Sequence, residues 1–198
     1  MQNAEIELKF PLSDPAAFQS HLPQLGFQLD TPRTFEHNTL YDTLDRSLRA
    51  QRQLLRIRRY GDLCTVTHKR LPDQGSDDTR YKVRIETETT VANGDALAEI
   101  FQQLGYAPVF IYEKFRTEWS YRGQAAHLVI DETPIGNYVE LEGPTDWIDQ
   151  TIAQLNIDPS TCLTASYGRL FLEWKQRTGS DAENLTFAAV SPALPVFI

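Results

Sequence analysis

Cysteine is nearly absent: Cys64 and Cys162 are the only two in 198 residues. Two thiols build neither a disulfide framework nor a four-sulfur zinc centre, and they read as packing residues. Also missing is any run of about 20 uncharged apolar residues of the kind that crosses a bilayer. The first nine residues are polar and charged, without the apolar stretch of an export signal. A cytoplasmic protein with no membrane association is expected. Basic residues are in deficit, 19 Lys and Arg against 27 Asp and Glu, for a formal net charge of −8 and a pI near 5.0. General nucleic-acid binding by counter-ion release is thereby disfavoured. His21, His37 and His127 stand alone at no metal-ligand spacing, and His68 faces away from its neighbour Lys69 by strand parity.

The length suits one domain with one core or one barrel. Its basic residues are concentrated: eleven of the nineteen fall between Arg46 and Arg84. A basic cluster on an acidic protein points to a small polyanion held locally.

Short alternating segments rich in Val, Ile, Thr and Tyr predict about eight strands, over 5–10, 35–41, 54–60, 63–69, 80–89, 111–121, 126–131 and 138–141. Helical spacing appears over 14–25, where Pro23 disturbs it, and over 95–104, 147–155 and 166–176. Strands in bulk with segregated helices indicate an α+β fold. Leu25-Gly26-Phe27 and Leu104-Gly105-Tyr106 each close a helix and lead into a strand, an internal echo of two halves sharing one sheet. Asp73 to Asp78 reads as a solvated hairpin tip. From Gly179 to Ile198 periodicity is lost, so a domain over 1–178 followed by a poorly anchored tail over 179–198 is expected.

The chemistry lies in the strand faces. Successive strand side chains alternate between faces, so Glu5, Glu7 and Lys9 share one and Ile6 and Leu8 the other. A solvated face explains one such motif. Repetition argues otherwise: Arg56 with Arg58; Thr65, Thr67 and Lys69; Arg80, Lys82, Arg84, Glu86 and Glu88; Lys114 with Arg116; Glu140 with Glu142. Like charges paired on one face repel unless a counter-ion is present. The pairs Glu5/Glu7 and Glu140/Glu142 offer hard oxygen ligands to Mg²⁺ or Mn²⁺. Arg56, Arg58, Lys69, Arg84, Lys114 and Arg116 offer what a phosphate chain needs. Arg80 and Lys82 share the inward parity and are placed at the mouth, while Glu118 shares the Lys114 face.

In this order the residues resemble the CYTH superfamily, the triphosphate tunnel metalloenzymes. Glu5-x-Glu7-x-Lys9 looks like its ExExK signature. The likeness continues through Arg56-x-Arg58, Lys69, Arg84-x-Glu86-x-Glu88, Lys114-x-Arg116, Asp131 and Glu140-x-Glu142, with Tyr41-Asp42-Thr43 and Ser166-Tyr167 as further shared positions. It spans about residues 3–175. The resemblance implies an eight-stranded antiparallel closed barrel of two pseudo-symmetric halves, flanked by helices, whose charged interior holds a triphosphate. It implies metal ligation by Glu5, Glu7, Glu140 and Glu142, with Asp131 as a further ligand. Substrate binding falls to Lys9, Arg56, Arg58, Lys69, Arg84, Lys114 and Arg116, and the catalytic set is Lys9, Arg56, Arg58, Lys69, Arg84, Glu86 and Glu88.

Family members hydrolyse inorganic, thiamine or nucleoside triphosphates, and one branch, the class IV adenylate cyclases, converts ATP into cyclic AMP and pyrophosphate. A metal-dependent triphosphatase is the leading expectation, acting on a small molecule as a monomer or homodimer. The cyclase differs in attacking the α-phosphorus with the ribose hydroxyl, and no adenine-reading motif is present. A non-catalytic triphosphate or polyphosphate receptor is the third alternative, although a pure anion receptor has no need of four interior carboxylates.

Overall fold

A computed structural model describes residues 2–73 and 80–190. Eight antiparallel strands close into a barrel: β1 (Gln2–Leu12), β2 (Phe27–Thr43), β3 (Leu54–Tyr60), β4 (Leu63–Arg70), β5 (Lys82–Thr90), β6 (Tyr106–Tyr121), β7 (His127–Thr133) and β8 (Gly136–Glu142). Around the barrel they run β1-β5-β4-β3-β2-β6-β7-β8. Strand β1 closes it, pairing Gln2 to Glu7 with β5 and Glu7 to Leu12 with β8.

All eight expected strands are present, but β2 and β6 begin earlier than their alternation suggests. Pro32 and Pro108 interrupt the pattern, and register shifts occur at Leu29/Thr31, Thr31/Thr34 and Leu40/Tyr41. Bulges of this kind break the period-2 signal while pairing continues. The helix expected over 14–25 divides at the proline into α1 (Pro15–His21), capped by Asp14, and a 3₁₀ turn over Leu22–Leu25. Gly26 and Gly105 adopt φ of 92° and 89°, the left-handed turn expected where each helix yields to a strand. A four-residue helix, α2 (Ser47–Ala50), has too few residues for periodicity, and the Asp42 carboxylate accepts from the amides of Leu48 and Arg49 there.

The outer faces of β1, β7 and β8 carry Leu8, Phe10, Leu128, Ile130, Val139 and Leu141. They pack beneath Leu22 and helix α4 (Thr145–Gln154), whose Trp147, Ile148 and Ile152 complete the cluster. Between the halves α3 (Gly94–Gln103) contacts β6. The apolar core thus lies outside the barrel wall, which leaves the interior to polar groups. A second cluster joins Tyr112 on β6 to Tyr167, Leu170 and Phe171 of α5 (Tyr167–Thr178).

The segment after Gly179 corrects the expectation of poor anchoring. Leu185 is 0% exposed. Its N–H donates to Ile111 O at 3.0 Å, and its carbonyl accepts from Glu113 N at 2.9 Å. Asn184 Oδ1 accepts from Ile111 N at 2.8 Å, and α6 (Phe187–Val190) follows. A strap held by one bridge and isolated apolar side chains has no periodicity to read. The remainder of the expected tail, 191–198, and most of the expected hairpin tip, 74–78, lie outside the described residues. Leu185→Ala is expected to cost about 2–5 kcal/mol, measured by denaturant unfolding.

Candidate functional site in the barrel interior

The barrel encloses a cavity of ≈ 1120 Å³ lined by Glu5, Glu7 and Lys9 of β1, Arg56 and Arg58 of β3, Lys69 of β4, Glu86 and Glu88 of β5, Lys114 and Arg116 of β6, and Glu140 and Glu142 of β8. Parity thus brings twelve of the fourteen expected residues to one lumen. The exceptions are Arg84 and Asp131. Arg84 has the inward register opposite Glu5, but its side chain is absent from the lining, and Nη1 donates to its neighbour's carbonyl, Val83 O, at 2.9 Å. Lys82, expected only at the mouth, reaches in instead, with Nζ 2.6 Å from Glu7 Oε1.

One wall is acidic. Register sets Glu7 opposite Glu142 and Lys9 opposite Glu140. Glu5 is paired to Lys69 at 2.6 Å, and Lys69 also meets Glu86 at 2.9 Å. Burial opposes both charges of the Glu5–Lys69 pair. Their mutual attraction wins, so the Glu5 carboxyl is held below its usual range and the Lys69 ammonium is raised. Glu140 is ion-paired to Lys9 and accepts from Arg116 Nη2 at 2.5 Å. Burial pushes its carboxyl up, but Lys9 and Arg116 hold it well below the usual range. Among the described residues Glu142 has no cation at ion-pair distance. Burial, only partly offset by Arg116, raises its carboxyl to about 7, and Glu140, Glu5 and Glu7 add to the rise.

The opposite wall is basic. Arg56 donates to Tyr112 Oη and Thr67 Oγ1, both at 3.1 Å, and Glu88 stands 3.6 Å away. Arg58 Nε donates to Glu36 Oε2 at 2.9 Å. Lys114 Nζ donates to Asp131 at 2.8 Å, and Arg116 grips the same carboxylate with two bonds of 2.7 Å.

Asp131, expected as a further metal ligand, is set apart from the other four carboxylates. It is 0% exposed, lies behind the lining, and both its oxygens are engaged by Lys114, Arg116 and the Tyr167 hydroxyl, the last at 2.6 Å. These contacts hold Lys114 and Arg116 in place. Burial and the Asp131 charge push the Tyr167 phenol well above its ordinary range, so Tyr167 stays a donor. The Tyr167 ring lies 4.3 Å from Lys9 Nζ and 4.9 Å from Lys114 Nζ, placing a π face beneath both ammoniums.

Glu36 is a site residue that the strand patterns do not single out. It is 0% exposed on β2, with Arg58 Nη2 at 2.7 Å, Lys114 Nζ at 3.4 Å and Arg116 Nε at 3.8 Å. Its parity with Asn38 and Leu40 is the available signal, but one glutamate between His37 and Phe35 forms no like-charge pair. Tyr112 is hidden in the same way, because a tyrosine in a strand reads as core.

Among the described residues, no group of three or more His, Cys, Asp or Glu side chains is arranged to hold a metal as it stands. The carboxylates of β1 are turned toward lysines. The donor set nevertheless fits a hard divalent cation: four carboxylates line two neighbouring strands, and Glu142 has no cation at ion-pair distance among the described residues.

A family model described as the CYTH domain matches residues 3–157. A protein from Methanocaldococcus jannaschii, provisionally named an adenylate cyclase, is 27% identical over 139 residues, spanning 70% of this chain and 75% of that protein. A solved structure from Vibrio parahaemolyticus, provisionally called an adenylate cyclase, superposes with a TM-score of 0.70 at 18% identity, covering 85% of this chain and 97% of that one. A Hippeastrum protein provisionally named an adenylyl cyclase, and described as having a dominant triphosphatase activity, gives a TM-score of 0.58 at 19% identity, covering 88% and 96%. At these identities the solved structures establish the fold alone. No helix among the described residues is long and apolar enough to cross a membrane.

Proposed function

Since the chain belongs to the CYTH domain family, we propose that its barrel binds a triphosphate and hydrolyses it with a divalent cation. The observation that carries this reading is the opposition of two walls in one cavity, carboxylates on β1 and β8 facing arginines and lysines on β3 and β6. A polyanion receptor needs only the second wall, and a cation site needs only the first.

Glu5, Glu7, Glu140 and Glu142 would hold the cation, Mg²⁺ or Mn²⁺. When bound, it neutralises phosphate oxygens and acts as a Lewis acid on them. Arg56 and Arg58 take the phosphate chain by bidentate geometry, and Lys9, Lys69, Lys114 and Arg116 take it as fixed charges. Glu86 and Glu88 keep Lys69 and Arg56 directed into the lumen. Lys9, Lys69 and Lys82 are bound to carboxylates, and a cation held by those carboxylates would leave the three ammoniums available to phosphate. The cations are then in place to stabilise charge spread over a loose, in-line transition state.

The cyclase reading is favoured by the names of the relatives, the hydrolase reading by the activity described for the Hippeastrum protein. Inorganic triphosphate, thiamine triphosphate and ATP, each with Mg²⁺ and with Mn²⁺, would be assayed for released phosphate and for cyclic AMP. The proposal expects phosphate from at least one, and cyclic AMP as the sole product overturns it. Arg56→Ala removes charge-assisted hydrogen bonds to phosphate and should weaken inorganic triphosphate and ATP alike, by roughly 10- to 100-fold. Calorimetry on both, with ADP as the poorly bound control, checks this, and a loss confined to ATP would mean that the arginine reads the nucleoside.

A further inference from the structure

Glu36 sits behind the basic wall. Strand β2, which carries it, lies between β3 and β6, and its carboxylate reaches Arg58 on one neighbour and Lys114 and Arg116 on the other. All three of those cations line the cavity, whereas Glu36 does not. It also accepts from Asn38 Nδ2 at 2.8 Å. Burial would push its carboxyl up, but Lys114, Arg116 and Arg58 hold it far below the usual range, so it is anionic at every working pH.

The three cations do not depend on Glu36 equally. Asp131 independently fixes Lys114 and Arg116. Among the described residues Arg58 has besides it no carboxylate but Glu118, at 3.8 Å, and the face of the Tyr60 ring, 4.6 Å away. Removing Glu36 therefore loosens Arg58 most and leaves the other two in place. A buried negative charge, screened little by solvent, also lowers the positive potential that these cations present to the lumen.

We propose that Glu36 is a positioning and charge-balancing residue: it aims Arg58 and holds the affinity of the barrel for polyanions below the level at which product would be trapped. This rests on the reading of the cavity as a triphosphate site. The expected signature is a split that a merely structural residue does not give, with tighter anion binding and slower turnover from one substitution. Removal of a group that touches phosphate weakens binding instead.

The test is calorimetric titration of the full chain with inorganic triphosphate, without metal, for the parent, Glu36→Gln and Glu36→Asp. Glutamine should tighten binding by about 3- to 10-fold, the effect of one uncompensated charge at partly screened distance, and aspartate should stay within about twofold of the parent. With metal, Glu36→Gln should lower kcat and strengthen inhibition by pyrophosphate. If Glu36→Gln does not fold, Lys114→Met is compared with Lys114→Met/Glu36→Gln, and the double variant should bind tighter. Unchanged or weaker binding in the glutamine variant, or equal tightening by aspartate, overturns the proposal. A parent that does not bind triphosphate overturns both this inference and the ligand reading beneath it. A parent that binds without turning over removes the hydrolase reading and leaves the affinity arm standing.

Discussion

Glu142→Gln should cut metal-dependent turnover by at least about 10²-fold, a few kcal/mol of lost charge stabilisation in the transition state, while making the metal-free protein more stable. The two effects share one cause. Glu142 lies opposite Glu7, with Glu140 and Glu5 near and no cation of its own among the described residues. Its folded value of about 7 lies above the ordinary 4.5. A carboxyl raised on folding leaves stability intact below the ordinary value, and stability is lost as pH rises from there to about 7. Above that range the charged carboxylate costs at most about 3–4 kcal/mol, which glutamine avoids. Melting temperatures of parent and variant in chelator should therefore coincide near pH 4 and diverge toward pH 8, the variant higher. The same proton competes with metal, so Mn²⁺ affinity of the parent should rise with pH up to about 7 and then level off. Turnover within a few-fold of the parent, or a variant less stable at pH 8, would end the assignment of Glu142 as a ligand.

Asp131→Asn should do the opposite. It leaves Lys114 and Arg116 buried beside a neutral amide and breaks the acceptor of Tyr167. Breaking a buried pair from one side costs about 3–5 kcal/mol, a fall of roughly 10 °C or more for a chain of this size. The loss should be the same with chelator as with Mg²⁺, because no metal contact is involved. A metal ligand behaves otherwise, being neutral or stabilising when removed without metal. Chelator melts of the two variants side by side thus separate cation orientation from metal ligation by sign alone.

The barrel and most of its lining can be read from the sequence because strand parity is a hard geometric rule. Once Glu5 faces inward, so must Glu7 and Lys9, and one slipped register would turn every charge outward. What parity does not convey is how far a side chain reaches. Arg84 has the correct face but folds onto Val83, and Asp131 faces in but is covered by the cations it holds. Glu36 is invisible in the sequence because its importance lies in partners from two other strands, which only pairing order reveals. The strap at Leu185 is equally hidden, since one bridge and scattered apolar residues generate no period.

Strand β1 has kinetic consequences. Strands β2 to β5 and β6 to β8 pair with sequence neighbours, the long β2–β6 ladder joins these two sets, and β1 must find β5 on one side and the still more distant β8 on the other. Hairpins between neighbours close short loops early, and non-local pairings pay their loop entropy last. Strand β1, whose pairing with β8 spans the greatest sequence separation, is therefore the last to be seated. Until it is, the sheet exposes two unpaired edges, β5 and β8, that invite association between chains. Glu5 and Glu7 meet Glu140 and Glu142 only in that final step, so the site is assembled by the event that seals the barrel, and a chain stalled before it is both inactive and prone to aggregate.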